Sequence, residues 1–201
     1  MAPWISWYQY QNPSSVWGED MKDILVKKVM IPISDYVTVK RGNNLTDVLH
    51  AIEQSRKAGQ GHAHRDAIVV DEDGHFIGKV TMIDIFRALE PNYPRVQRDQ
   101  KKQTLTDDFV RKAVKEFKLW MEPIEDVCER GSKITVADAM HIPENSEYIQ
   151  ESDTLEKALN YYVMGVHQPL IVKNGDTVTG FLRFGDIFEI VRERILNCSL
   201  E

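Results

Sequence analysis

Lysine and arginine are missing from the first twenty residues of this 201-residue chain, and over its whole length they number 25 against 31 aspartates and glutamates. The formal net charge of −6 leaves no broad basic surface of the kind DNA or RNA binding needs. Cysteine is nearly absent too. Cys128 and Cys198 have no CxxC context and no dense even spacing, which excludes a disulfide scaffold and fits a reducing compartment. No apolar run reaches membrane-spanning length, and the amino terminus MAPWISWYQY has neither a basic n-region nor an apolar h-region. The expected location is the cytoplasm, with neither nucleic acid nor membrane as partner. GxSxG, P-loop and GxGxxG patterns are all missing and neither cysteine has an activating context, so the protein is not expected to be an enzyme and no residue is assigned as catalytic. His62 and His64 stand two apart, with no Cys, Glu or third His at zinc-like spacing beside them, so no metal site is expected.

What the chain does contain is a repeat. Met30, Val39, Leu45 and Leu49 match Met140, Ile149, Leu155 and Leu159 at a separation of 110, whereas Gly78, Asp84, Ile85 and Phe86 match Gly180, Asp186, Ile187 and Phe188 at 102. The first copy therefore carries eight extra residues, which fall around the Gly-rich stretch SRKAGQGHAH and read as a lengthened loop.

Each copy has the same plan. A short extended piece, DYVTV or EYIQ, leads to a helix expected to be capped by Asn43 or by Asp153, the latter in a capping-box pattern with Glu156. Leu45, Val48, Leu49 and Ile52 make one apolar stripe on the first of these helices. Two strands follow around Asp-Gly or Asn-Gly turns, AIVVDEDG and HFIGKVT in copy one, LIVKNGD and TVTGFLR in copy two. A second helix, MIDIFRAL or FGDIFEIVRERI, closes each copy. The fold class is α+β, with two βαββα units. A lone unit of this size leaves an apolar sheet face uncovered, so the two are expected to pack sheet to sheet with pseudo-two-fold symmetry.

The strand-to-helix junctions read GKVTMID and GFLRFGD. Thr81 and Asp84 stand at the N-cap and N3 positions, a pattern that serves either of two purposes. It starts the helix as a capping box. It also suits a nucleoside phosphate, because the helix N-terminus offers free N–H groups to phosphate, Thr81 adds a hydroxyl, and Asp84 is able to accept both hydrogens of a ribose diol.

On the duplicated βαββα order and the G-h-h-T-x-x-D ending, the chain resembles tandem CBS domains, the pair often called a Bateman module, over about residues 29–89 and 139–191. The resemblance implies a regulatory module that binds an adenosine-containing ligand, AMP, ADP, ATP or S-adenosylmethionine, in the cleft between repeats and passes a conformational change to a partner. It implies Asp84 as the ribose contact, Thr81 near the phosphates, and Thr38, Val39, Arg65, Asp66 and Ala67 around the base. In copy two it implies Asp186, with Tyr148, His167, Gln168 and Pro169 framing the base. Arg183 replaces the threonine there, and either reaches a phosphate or pairs with Asp186 and fills the ribose position itself. Site one is thus favoured. No cofactor is required, an adenine nucleotide being the regulatory ligand, and the expected partners are a second copy of the chain and a separate effector protein, with no catalytic or transport domain attached. The alternative is a ligand-independent dimeric scaffold in which Thr-x-x-Asp is only a cap.

The expected organisation is an N-terminal arm (1–23), repeat one (24–90), a linker (91–133), repeat two (134–196) and a short tail (197–201). The arm carries Trp4, Trp7, Tyr8, Tyr10 and Trp17, aromatics without cations, which suit docking on apolar surface rather than stacking on nucleic acid. The linker contains a helix from about Thr106, with an apolar face of Phe109, Val110, Ala113, Val114, Phe117 and Met121, and a solvated basic cluster of Arg95, Arg98, Lys101 and Lys102. That helix covers one end of the module or docks a second copy or an effector.

Overall fold

The computed structural model of the protein describes residues 19–58, 65–100, 105–121 and 124–197. The aromatic arm as far as Trp17, His62 and His64, and Lys101 and Lys102 lie outside them, as does the side chain of Arg98.

The described elements, in chain order, are β1 (Ile31–Pro32), β2 (Thr38–Lys40), α1 (Leu45–Lys57), β3 (Ala67–Val70), β4 (Phe76–Val80), α2 (Met82–Leu89), α3 (Tyr93–Gln100), α4 (Asp107–Phe117), α5 (Ile124–Lys133), α6 (Val136–Ala139), β5 (Tyr148–Gln150), α7 (Leu155–Val163), β6 (Leu170–Asn174), β7 (Thr177–Leu182) and α8 (Phe184–Leu196). The fold is mixed α+β. Both repeats have the strand, helix, hairpin, helix order expected of them. No described helix is long and apolar enough to cross a membrane.

The chain forms two compact units. One holds the sheet of repeat one, with the described parts of 38–54 and 65–142; the other holds the sheet of repeat two, with 19–37, 55–58 and 143–197. In the first unit β2 runs parallel to β3, and β3 pairs antiparallel with β4. The β3–β4 turn closes on Asp71, whose carboxylate accepts the N–H groups of Asp73 and His75 at 3.0 and 2.8 Å. In the second unit β5 runs parallel to β6 and β6 pairs with β7, but a fourth strand is added. This is β1, antiparallel to β7, with Pro32 opposite Gly180 and Ile31 opposite Phe181.

The segment leading into repeat one therefore packs with the sheet of repeat two. Ile24, Val26 and Val29 are buried in the same cluster as Ile149, Leu155, Leu170, Val172, Leu182 and Ile187. The leader of repeat two does the reciprocal thing: His141 pairs with Lys79 of β4 through two backbone hydrogen bonds of 2.8 and 3.1 Å. Each contact crosses a glycine. A Cβ on Gly78 would stand 2.9 Å from the His141 carbonyl oxygen, and one on Gly180 would overlap the carbonyl oxygen of Ile31.

Three local expectations are corrected. The helix caps fall one residue later than Asn43 and Asp153: Asn44 accepts from the Asp47 N–H at 2.9 Å, and Thr154 from the Lys157 N–H at 3.3 Å. Asn43 and Asp153 instead close the preceding turns by accepting the N–H groups of Lys40 and Gln150. On α1, Leu45 and Val48 are buried but Leu49 is 49% exposed, so the stripe is narrower than its spacing suggests. On α4 only Ala113 is fully buried, with Phe109 and Phe117 half-buried one turn to each side. Val110, Val114 and Met121 are exposed.

Candidate functional site

Strand polarity gathers the candidate site residues of each repeat at one end of its sheet. In repeat one, β2 and β3 begin where β4 ends, with Thr38 opposite Ile68 and Ala67 opposite Val80. Thr38, Ala67 and Thr81 therefore share that end, and Arg65 and Asp66 lead directly into it. Val39 sits one residue farther along β2 and is buried.

Thr81 has an extended backbone and is the N-cap of α2, and Asp84 occupies the third helical position. The Asp84 carboxylate turns back to accept the Thr81 N–H at 3.0 Å and the Thr81 hydroxyl at 2.6 Å, both on Oδ2. Its other oxygen, Oδ1, lies 3.5 Å from Nη1 of Arg87, one turn along the helix. Asp84 is only 5% exposed, and a carboxylate is left so deep only when it is hydrogen-bonded and paired. The capping bonds are thus present, and they hold an acidic group at the first turn of a helix, beside N–H groups that have no partner within the helix itself.

Repeat two builds the same junction with a different cation. Arg183 is the N-cap of α8, and its guanidinium grips Asp186 with two bonds, Nε to Oδ2 at 2.9 Å and Nη2 to Oδ1 at 2.6 Å. This is the paired arrangement, and it engages both carboxylate oxygens. Tyr148 begins β5 opposite Ile171, and Leu170 lies opposite Leu182, so Tyr148, Pro169 and Arg183 again meet at one sheet end. Lys173 holds its ammonium 4.1 Å from the Tyr148 ring centroid and so covers one ring face. Burial, and then the neighbouring Glu147 charge, raise the pKa of the Tyr148 phenol, which stays neutral at physiological pH. His167 is half-buried with Nδ1 4.0 Å from Glu147, while Gln168 is exposed.

Two groups at these ends were not singled out from the sequence. Tyr162 of α7 is buried, donates its hydroxyl to the Leu182 carbonyl and accepts the Leu170 N–H at 2.9 Å, which pins β6 to β7 beside Arg183. Lys79, two residues before Thr81, has a side chain with no exposed surface. Its counterpart in repeat two is Phe181, whose ring lies 4.9 Å from Tyr36. A double tyrosine in a helix and a lysine alternating with valine in a strand carry no signal that separates these roles from ordinary packing and solvation.

The linker also reaches the end of α2. Glu90, buried just past that helix, accepts the N–H groups of Asn92 at 3.0 Å and Trp120 at 2.7 Å. Arg130 of α5 donates to the Leu89 carbonyl at 2.5 Å.

Comparison with known proteins finds one family match. The family model of the CBS domain matches residues 26–91. That stretch, which spans repeat one, is similar to the CBS domain family. Solved CBS-domain structures share its fold across most of its length. A CBS domain-containing protein of unknown function from Bacillus anthracis superposes with a TM-score of 0.56 at 19% identity, covering 87% of this chain and 96% of that one. The CBS-pair protein CBSX2 from Arabidopsis thaliana, in its complex with AMP, gives 0.52 at 17% identity, over 85% and 97%. The CBS domain of a bacterial CNNM/CorC family Mg2+ transporter in complex with ATP gives 0.51 at 16%, over 92% and 96%. A comparison with curated proteins finds no match.

Proposed function

We propose that this protein is a tandem CBS-domain regulatory sensor that holds an adenosine-containing ligand at the Thr81–Asp84 junction of repeat one. The observation that carries this reading is the buried Asp84 carboxylate, fixed by Thr81 at the N-terminus of α2. In this reading Asp84 accepts the ribose hydroxyls, and the first-turn N–H groups of α2 take phosphate. Thr81 keeps the carboxylate oriented, while Thr38, Val39, Arg65, Asp66 and Ala67 frame the base. Each charge-assisted bond contributes roughly 1.5–3 kcal/mol, enough to weaken binding by about tenfold to a hundredfold when lost. Complexes of structural neighbours with AMP and ATP support the ligand class.

Site two does not hold a ribose in this account. The guanidinium of Arg183 stands where a diol would donate, on both oxygens of Asp186. Tyr148, His167, Gln168 and Pro169 then line a junction that is closed from within.

The cap geometry is equally what a ligand-independent scaffold requires, and the Thr81–Asp84 bonds favour that alternative. A thermal-shift panel with AMP, ADP, ATP and S-adenosylmethionine separates the two. A ligand at 100 times its dissociation constant adds about 2.7 kcal/mol, which is several degrees for a chain of this size. No shift with any of them selects the scaffold. The sensor is further proposed to be a homodimer acting on a separate effector, which the exposed Met82 and Ile83 of α2 and Phe184 and Phe188 of α8 support as apolar surface for contact.

A further inference from the structure

We propose that Arg87 is a positioning residue for Asp84, and that the linker between the repeats sets the affinity of site one by holding Arg87 through Tyr93. The proposal rests on the reading of Asp84 as the ribose contact. Asp84 and Arg87 are three residues apart on α2 and therefore share a face. Nη1 of Arg87 stands 3.5 Å from Oδ1, an ion pair longer than a direct hydrogen bond, so the guanidinium orients the carboxylate by charge.

An arginine is a poor orienting group unless it is itself fixed. Here the fixing comes from the linker. Nε donates to the Tyr93 hydroxyl at 3.1 Å, and the guanidinium carbon lies 5.4 Å from the centre of the same ring. Tyr93 is the first residue of α3, and its N–H donates to the Glu90 carbonyl at 3.0 Å. Glu90 in turn binds Trp120 beyond α4, and Asn92 donates to the Phe117 carbonyl at 3.0 Å. The Trp120 ring meets Phe86 of α2 edge-on at 5.9 Å. Asp84, Arg87, Tyr93, Glu90 and Trp120 thus form one connected arrangement running from site one into the linker.

Repeat two lacks the device. Glu189 takes the place of Arg87 there, and it pairs with Arg192 at 2.7 Å. A cation supplied from the C-terminal side of the aspartate leaves the N-cap side to a hydroxyl, whereas the Arg183 cation comes from the N-cap side. The bidentate Arg183 takes up both oxygens of Asp186, whereas the longer Arg87 contact orients Asp84 without a direct hydrogen bond, and preorganisation lowers the ordering cost of binding.

The test is calorimetric titration of the full chain with AMP and with 2′-deoxy-AMP, for the native protein and for Arg87→Met, Arg87→Lys, Tyr93→Phe and the Arg87→Met/Tyr93→Phe double variant. We expect Arg87→Met to weaken AMP binding about tenfold and to reduce the preference for AMP over its 2′-deoxy analogue. Arg87→Lys should restore part of that preference. Tyr93→Phe, which keeps the ring, should weaken AMP binding by a smaller factor and have no further effect once Arg87 is Met. Unchanged affinity and unchanged diol preference in Arg87→Met and Tyr93→Phe, or fully additive losses in the double variant, would overturn the proposal. Should Asp84→Ala abolish binding while Arg87→Met does not alter it, only the positioning role fails. A native chain that binds no adenosine ligand removes the sensor reading and the positioning role together.

Discussion

Gly180 of β7 and Ile31 of β1 lie backbone against backbone, so close that any side chain on Gly180 would overlap the Ile31 carbonyl oxygen. The same relationship joins Gly78 to His141, with 2.9 Å left for a Cβ. These glycines are needed for close approach, since neither has the left-handed backbone that would otherwise call for one. Gly180→Ala should destabilise the protein by about 1–3 kcal/mol, the usual cost of overpacking, and Gly78→Ala by less, read from urea denaturation midpoints at unchanged slope. Equal stability of Gly180→Ala and the native chain would contradict the packing of β1 on β7.

The leader exchange explains what the sequence made legible and what it did not. Hairpins announced by Asp-Gly and Asn-Gly, and the helices α2 and α8, were readable because turn chemistry and period act over a few neighbouring residues. Matching Met30 to Met140 located the two leaders, but β1 is a two-residue strand whose partner is about 150 residues away, and no local pattern encodes such a pairing. Helix α3 was missed because YPRVQRDQ has almost no apolar period; Pro94 in its first turn is a start signal that a linker reading absorbs. The candidate site was half legible. Thr81 and Asp84 stood out by spacing, and Arg183 was recognised as a competing partner for Asp186, whereas Arg87, Tyr93 and Tyr162 act through contacts that chain order hides.

Arg183→Thr should open site two. The substitution removes both bonds to Asp186 and supplies the hydroxyl found in repeat one, so calorimetric stoichiometry is expected to rise from one ligand per chain towards two. Unaltered stoichiometry would mean that the junction is closed by more than its arginine.

The leader of repeat two carries its own pH dependence. Asp138, in α6, has its pKa lowered by the Thr135 hydroxyl and then by the Thr135 N–H. A carboxylate with a depressed native pKa adds stability that is fully present above its unfolded pKa and is lost as pH falls through the native value. Thr135→Val should therefore lower stability above pH 3.8, the ordinary value for that group, with the gap to the native protein narrowing in more acid solution. Urea titrations across that range, with carboxyl NMR of Asp138, check both the gap and the upward movement of its pKa.

Phe188→Glu should weaken self-association, because it places a charge on an exposed apolar position of α8. Light scattering across a concentration series is expected to give a dimer for the native chain and a monomer for the variant, with little change in melting temperature.

One site, built on Asp84, is proposed to bind an adenosine ligand. This proposal is tested most directly by calorimetric titration of AMP and ATP into the native chain, Asp84→Ala and Asp186→Ala. The expected result is one ligand per chain, near-complete loss of binding in Asp84→Ala, and little change in Asp186→Ala. Equal loss in both variants, or binding undiminished by Asp84→Ala, would contradict it.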